Sequence, residues 1–249
     1  MSEAASYDPN WWQAPKAASL ERKARAKAVG SALAKLGDTF LIVTEGTVTE
    51  PVYFDLLLQD LQLSTVWIKV IPGDASHPRH VIATAAREAT AQAYKARKGR
   101  LGIDEPSMFD HVWAVIDTDV AVREGIWNNV QQSATAKKVK LAHSSPCFEF
   151  WLLLHLAYTT RSDLHNGDAA KAALKKVLGR DYSTTKETAR EAIGSFFSKW
   201  PTAVEHAARV RQHHHGAATP LPANPSTEMD RLVRALYESM PEHLRKLRS

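Results

Sequence analysis

The sequence has little cysteine and no long hydrophobic run. Cys147 is the only cysteine among 249 residues, so an internal disulfide is excluded and a reducing cytoplasm is the expected compartment. The longest apolar stretch, residues 148–156, contains Glu149 and His155 and is shorter than the roughly 18 residues that span a bilayer. The N-terminus also lacks the basic-then-apolar pattern of a secretory signal. We therefore expect a cytoplasmic protein with no membrane contact.

A glycine-rich phosphate loop and internal repeats are also missing. Without a Walker-type loop, we do not expect the chain itself to hydrolyse ATP. Hydrophobic residues make up 44% of the chain and charged residues 24%, which is typical of a folded globular protein and excludes a disordered one.

Charge is distributed unevenly along the chain. Residues 1–37 carry six basic and three acidic side chains, and residues 161–249 carry 15 basic and 10 acidic ones. The middle of the chain, residues 38–160, has 11 basic and 14 acidic side chains. Basic flanks attract polyanions such as nucleic acid, although basic residues also serve simply to solvate helix surfaces.

Strand and helix patterns alternate through the middle of the chain, which predicts an α/β fold with a small, mostly parallel sheet flanked by helices. Predicted strands cover residues 39–44, 66–71, 111–116 and 138–143, and predicted helices cover residues 49–61, 78–97, 121–134 and 147–158.

The two ends of the chain are predicted to be helical. Residues 1–37 form a basic N-terminal helical arm, residues 38–160 the α/β core, and residues 161–249 a helical C-terminal region packed on the core. In this last region we predict one helix over 168–178 capped by Asp168, a second over 186–213 that Pro201 breaks or restarts, and a final one capped by Ser226 or Thr227.

Acidic residues follow two of the predicted strands. Glu45 comes directly after the first strand, and Asp117 and Asp119 come directly after the third. If the extended backbone continues through Thr118, the two aspartates point the same way. Crowded carboxylates repel unless a cation neutralises them, and oxygen-only ligands suit Mg²⁺ or Mn²⁺. The alternative is that these acids are ordinary turn residues or helix caps.

Three segments together resemble the RloB-like family of prokaryotic defence proteins. Residues 45–54 fit its E-G-x-x-T-E-x-x-Y-F pattern, residues 145–155 resemble its Pro-Cys-Phe-Glu helix, and residues 224–227 resemble its Asn-Pro-Ser-Thr signature. The chain departs from the family at Thr118 and Val120, where an arginine and an acid are usual, and at Ser145, where asparagine is frequent.

The resemblance implies a Toprim-like core with Glu45, Asp117 and Asp119 as metal-binding and catalytic residues for Mg²⁺ or Mn²⁺. Glu50 is a further catalytic candidate, with a role as helix-dipole partner as its alternative. Glu149 lies in an apolar helix and is expensive to bury alone, so we expect it to join the metal site or to pair with a buried arginine or lysine.

The resemblance also implies a metal-dependent nuclease that cleaves DNA or tRNA in antiviral defence together with an ABC/SMC-like ATPase. The alternatives are a non-catalytic nucleic-acid-binding or regulatory subunit of the same system and, less favoured, a primase-like activity. The nucleic-acid contacts expected in the basic flanks are Arg22, Lys23, Arg25, Lys27, Arg209 and Arg211.

Overall fold

The computed structural model describes residues 38–63, 68–102, 105–182 and 185–240. The predicted basic arm, residues 1–37, lies outside them. Within these ranges, none of the helices is both long enough and apolar enough to cross a membrane.

A five-stranded sheet forms the centre of the molecule. Its strands are β1 (Phe40–Thr44), β2 (Ile68–Pro72), β3 (His111–Asp117), β4 (Lys140–Ser145) and β5 (Ser226–Thr227), in the order β2-β1-β3-β4-β5. The first four strands are parallel, and β5 is antiparallel to β4. The prediction of a mostly parallel α/β sheet flanked by helices is confirmed.

Nine α-helices and one 3₁₀-helix lie within the described ranges. They are α1 (Thr49–Asp60), α2 (Pro78–Arg97), α3 (Asp119–Arg123), α4 (Trp127–Ala136), α5 (Phe148–Leu156), α6 (Gly167–Leu178), α7 (Lys186–Gly194), the 3₁₀-helix Phe197–Lys199, α8 (Trp200–Gly216) and α9 (Met229–Glu238). The helix predicted over 121–134 is divided at Gly125, whose φ of 67° only glycine adopts readily. Pro201 lies in the first turn of α8, so the prediction that it restarts a helix is confirmed.

Two helix caps differ from the predictions. Helix α6 is capped by Asn166, whose side chain accepts the Ala169 N–H at 2.8 Å, and Asp168 lies inside the first turn instead. At the last helix the N-cap position is Glu228, and Ser226 and Thr227 pair with the end of β4 as strand β5. Thr227 Oγ1 still accepts the Met229 N–H at 3.1 Å, so the Thr227 side chain satisfies the first N–H of α9 as predicted, whereas Ser226 does not. The C-terminal region is therefore not entirely helical, and it supplies one edge of the sheet.

The sheet has a hydrophobic cluster on each face. Helices α2 and α4 cover one face, where they pack against residues such as Leu41 and Ile116. On the other face, α1 and α5 share one cluster with α6 to α9, around residues such as Phe54 and Trp151. The C-terminal helices thus belong to the same core as the sheet, and their packing fixes the position of α5.

His155 is a polar residue inside the larger cluster. Its side chain is 1% exposed, its Nδ1 lies 3.1 Å from the Trp151 carbonyl, and rings of Tyr53, Trp151 and Phe196 surround it. Burial lowers the pKa of His155 from 6.5 to about 4, because the charged imidazolium is disfavoured in this environment.

We predict that this buried histidine makes the fold acid-sensitive. Between pH 6.5 and pH 4 the unfolded chain binds a proton that the folded chain does not, so the free energy of unfolding falls as the pH falls. The contribution is at most about 1.4 kcal/mol per pH unit. Urea unfolding at pH 7, 6 and 5 should show a shallower pH dependence for His155→Phe than for wild type. The exposed-site control His215→Phe should keep the wild-type dependence, and identical slopes for all three proteins would contradict the prediction.

Candidate functional site

Glu45 and Asp117 meet at the carboxyl edge of the sheet. Strands β1 and β3 are neighbours, with Thr44 beside Val115, so the residues that follow them emerge side by side. The Glu45 N–H donates to the Val115 carbonyl at 3.0 Å, which continues the strand pairing by one residue. The Asp117 N–H in turn donates to Glu45 Oε2 at 3.0 Å, so the Glu45 carboxylate lies against the end of β3.

Glu50 is folded back onto the turn that follows β1. The Gly46 N–H donates to Glu50 Oε1 at 2.8 Å, and Glu50 is 7% exposed. A Cβ atom at position 46 would overlap the Glu50 carboxylate, so this close approach requires glycine. Glu50 is therefore fixed beside Glu45 by the local backbone.

The two aspartates after β3 are oriented by different backbone groups. The Phe148 N–H at the start of α5 donates to Asp117 Oδ1 at 2.9 Å, and the Val120 N–H donates to Asp119 Oδ1 at 2.6 Å. The sequence analysis predicts that the two side chains point the same way if the extended backbone continues through Thr118. This premise is wrong, because Thr118 has helical dihedral angles (φ −93°, ψ −15°) and the strand ends before it. Asp119 instead begins α3.

Glu149 reaches the same region from α5. Its side chain is 5% exposed, and its Oε1 accepts a hydrogen bond from the Tyr182 hydroxyl at 3.0 Å. Of the two alternatives expected for Glu149, the ion pair with an arginine or lysine is not found among the described residues, although the charge of Lys171 acts on Glu149. A tyrosine from the C-terminal region takes that place.

We call these five residues the acidic cluster: Glu45, Glu50, Asp117, Asp119 and Glu149. Burial raises the pKa of Asp117 well above its usual range, and the charges of the other four members raise it further. Burial also raises the pKa of Glu45 to about 7, with added repulsion from Glu50 and Asp119. The pKa of Glu50 is raised, again chiefly by burial. These members therefore carry negative charge at an energetic cost.

Lys171 is a cation next to the cluster that the sequence analysis missed. Desolvation opposes its charge, but the negative charges of Glu149, Asp117 and Asp119 raise its pKa overall. It also lowers the pKa of Glu45 and Glu50. No motif marks it, because its position depends on how α6 packs against the rim of the sheet. That packing is close, since a Cβ atom on Gly167 would lie 3.2 Å from Asp119 Oδ2.

The acidic cluster fits a hard divalent cation in its donor chemistry. Its donors are carboxylate oxygens, and its negative charge exceeds what the single Lys171 offsets. In four members of the cluster, one carboxylate oxygen accepts a hydrogen bond from a backbone N–H, which fixes the direction of that carboxylate. These members are Glu45, Glu50, Asp117 and Asp119. In the part of the chain described, no three Asp, Glu, His or Cys side chains are yet close enough to hold an ion together.

The residues predicted to contact nucleic acid are only partly within the described residues. Arg22, Lys23, Arg25 and Lys27 lie outside the described residues. Arg209 is exposed and lies over the Tyr158 ring at 4.3 Å, beyond the end of α5 opposite Glu149.

Arg211 has a structural partner. It forms a two-pronged ion pair with Asp230 at 2.5 and 2.7 Å and also donates to the Thr227 carbonyl at 2.7 Å. Asp230 is 2% exposed, so Arg211 neutralises a buried carboxylate and ties α8 to α9. Because its guanidinium is engaged within the fold, Arg211 is not among the nucleic-acid contacts proposed below.

Comparison with known proteins identifies the family. The family model described as RloB-like protein matches residues 40–236, which is most of the chain and includes the whole acidic cluster. The chain belongs to the RloB-like family. No curated protein and no solved structure shows a significant match. This RloB-like protein thus carries the predicted motifs on the fold described above.

We predict that neutralising one carboxylate stabilises the metal-free protein. Asp117→Asn removes a charge that burial and four neighbouring carboxylates disfavour, and the asparagine oxygen can still accept the Phe148 N–H. The free energy of unfolding in EDTA at pH 8 should rise by about 1 kcal/mol or more. The exposed-site control Glu205→Gln should leave it unchanged. A destabilised Asp117→Asn protein would show that the cluster is not under repulsion.

Proposed function

We propose that this protein is a divalent-metal-dependent nuclease that hydrolyses phosphodiester bonds of DNA or RNA, tRNA included, in prokaryotic antiviral defence. The observation that supports the proposal most strongly is the acidic cluster, in which five carboxyl groups from three segments of the chain lie near enough at one rim of the sheet to repel one another. Ligands of open parallel α/β sheets bind at this rim. Membership of the RloB-like family, whose resemblance implies this activity, agrees with it.

Retaining so many acids in a buried place needs a physical reason. Their mutual repulsion costs folding energy, and Lys171 offsets only part of it. A core that served stability alone would be better served by apolar or neutral residues at these positions. Binding of a divalent cation converts the repulsion into attraction.

Asp117 and Asp119 are proposed to hold the ion, with Glu45 and Glu149 as further ligands. A bound Mg²⁺ or Mn²⁺ would supply Lewis-acid stabilisation of the phosphate and would lower the pKa of a coordinated water. Backbone hydrogen bonds engage Glu45 Oε2 and Asp117 Oδ1, so the other oxygen of each carboxylate would be the one to bind the ion. Tyr182 similarly orients Glu149.

The other charged residues around the cluster have separate proposed roles. Glu45 accepts the proton of the attacking water if it is not itself a ligand, and Glu50 is placed to assist it from the adjoining turn. Lys171 contacts the scissile phosphate, where a cation stabilises the charge that develops as the bond breaks. Basic residues of the flanks, including Arg22, Lys23, Arg25, Lys27 and Arg209, hold the rest of the strand.

The proposed partner is an ABC/SMC-like ATPase. The partner is proposed from the resemblance to the RloB-like family, whose members are associated with such an ATPase. The sequence shows no phosphate loop, so we do not expect the chain itself to hydrolyse ATP.

A second candidate function is a non-catalytic regulatory subunit of the same ATPase system. The same observation favours it, because carboxyls with raised pKa that do not form a ligand set can remain partly protonated and share protons instead of an ion. In that case the rim would be a binding surface for the ATPase or for nucleic acid, and metal would not matter.

We predict that cleavage depends on the acidic cluster. The purified chain, with and without a co-expressed ABC- or SMC-like ATPase, should cleave DNA or tRNA in Mg²⁺ or Mn²⁺. Asp117→Asn and Asp119→Asn should each lower the rate by at least about two orders of magnitude, because each removes a proposed ligand charge. The control Glu205→Gln should cleave normally. If wild type and the variant that combines Asp117→Asn with Asp119→Asn behave alike under every condition, the nuclease proposal fails and the regulatory one gains support.

We also predict a catalytic effect for Lys171. Lys171→Met should slow cleavage about 10- to 100-fold at saturating metal, because the phosphate loses a nearby cation. The substitution should not weaken metal binding measured by calorimetry, since it removes a positive charge from the vicinity. An unchanged rate at saturating metal would reduce Lys171 to a charge-balancing residue.

A further inference from the structure

A small cavity opens beside the acidic cluster, on the side of Asp119. Its volume is about 260 Å³, and its polar lining is formed by Thr118, Asp119, Arg123, Ser145, His165, Asn166 and Asn224. These residues come from four separate parts of the chain: helix α3 with the residue before it, the end of β4, the turn before α6 and the segment before β5. Asp119 lies both in the cluster and in the wall of the cavity, so the two spaces adjoin.

Arg123 supplies an uncommitted positive charge to this cavity. It is exposed at the end of α3, and no described acidic side chain forms an ion pair with it. Some exposed arginines of the described residues, such as Arg87, Arg161 and Arg180, each pair with a carboxylate, whereas others, such as Arg97, do not. What distinguishes Arg123 is its position next to Asp119, in a cavity whose wall also carries uncharged polar groups, and a guanidinium in such a place can bind a phosphate.

The remaining polar groups are held in place around the cavity. Asn224 Nδ2 donates to the His165 carbonyl at 2.9 Å, which joins the segment before β5 to the turn that carries the His165 ring. The Asn166 side chain caps α6, so this turn is fixed on its other side as well. Thr118 is 1% exposed, and its hydroxyl has no hydrogen-bond partner in the described chain.

The side chains that line the cavity indicate which part of a nucleotide it would bind. Among the described residues that line the cavity there is no phenylalanine, tyrosine or tryptophan, so a base would have only the His165 ring or the Arg123 guanidinium to stack on. Arginine, histidine, asparagine and threonine groups are instead suited to phosphate and sugar oxygens. The volume accommodates a single sugar–phosphate unit.

We infer that this cavity binds the sugar–phosphate unit next to the scissile phosphate, with Arg123 as its main phosphate contact and His165 as a second one. The inference rests on the proposed nuclease function and adds a subsite to it. Because Asp119 separates the two spaces, a strand whose scissile phosphate lies at the acidic cluster places its neighbouring unit here. Recognition at this subsite reads the backbone and not the base.

Binding without cleavage tests the inference directly. Fluorescence anisotropy of labelled 12-nucleotide single-stranded DNA, single-stranded RNA and duplex DNA is measured in EDTA at several salt concentrations. Arg123→Ala should weaken binding of the preferred strand about tenfold and lower the slope of log K against log salt by about 0.7 to 0.9, the loss of one phosphate contact. His165→Ala should weaken it less. A matched control is Arg97→Ala, at the far end of α2, about 27 Å along the helix from its first turn.

Several results would overturn the subsite. They are an unchanged affinity for Arg123→Ala, an equal loss for Arg97→Ala, which would indicate general charge attraction, and no binding of any strand by wild type. A nucleoside monophosphate that competes at micromolar concentration would assign the cavity to a free nucleotide instead of a strand.

Cleavage kinetics separate this inference from the proposed function. If wild type cleaves, Arg123→Ala should raise KM several-fold with little change in kcat, and the opposite pattern would overturn a positioning role. If wild type binds strands through Arg123 but never cleaves, the nuclease proposal fails while the backbone-binding cavity survives.

Discussion

Repulsion among buried and half-buried carboxylates is the constraint on which the rest of this structure depends. Five acids are held at one rim of the sheet, and the local backbone fixes their directions instead of letting them turn to solvent. Such an arrangement lowers the stability of the isolated chain, because each charge raises the cost of the next. Under the proposed function, a bound cation would offset this repulsion. The apolar clusters on both faces of the sheet supply the folding energy that offsets this cost.

The fold gathers the cluster through long-range packing. Parallel pairing of β1 and β3 brings Glu45 to Asp117, although 72 residues separate them. Helix α5 then supplies both the N–H that orients Asp117 and the Glu149 carboxylate. Helix α5 is itself packed against the C-terminal helices, so α6 to α9 determine the geometry of a rim to which α6 adds Lys171.

Much of the sheet and part of the site are predictable from the sequence. Buried parallel strands appear as short apolar runs, and once the strands are located, the acidic residues at their carboxyl ends can be identified as candidate site residues. The remainder depends on contacts between distant segments that no local pattern reveals. Examples are Tyr182 against Glu149, Lys171 beside the rim, and the Arg211–Asp230 ion pair. The short strand β5 was also missed, since two residues paired with β4 have no periodicity of their own.

Anomalous diffraction from crystals of the whole chain grown with Mn²⁺ tests the central claim most directly. The account predicts a manganese peak within about 2.2 Å of carboxylate oxygens of Asp117 and of at least one other member of the acidic cluster. The peak should be lost in Asp117→Asn crystals grown in the same way. Well-ordered carboxyls without a manganese peak, joined to one another by shared protons, would contradict it.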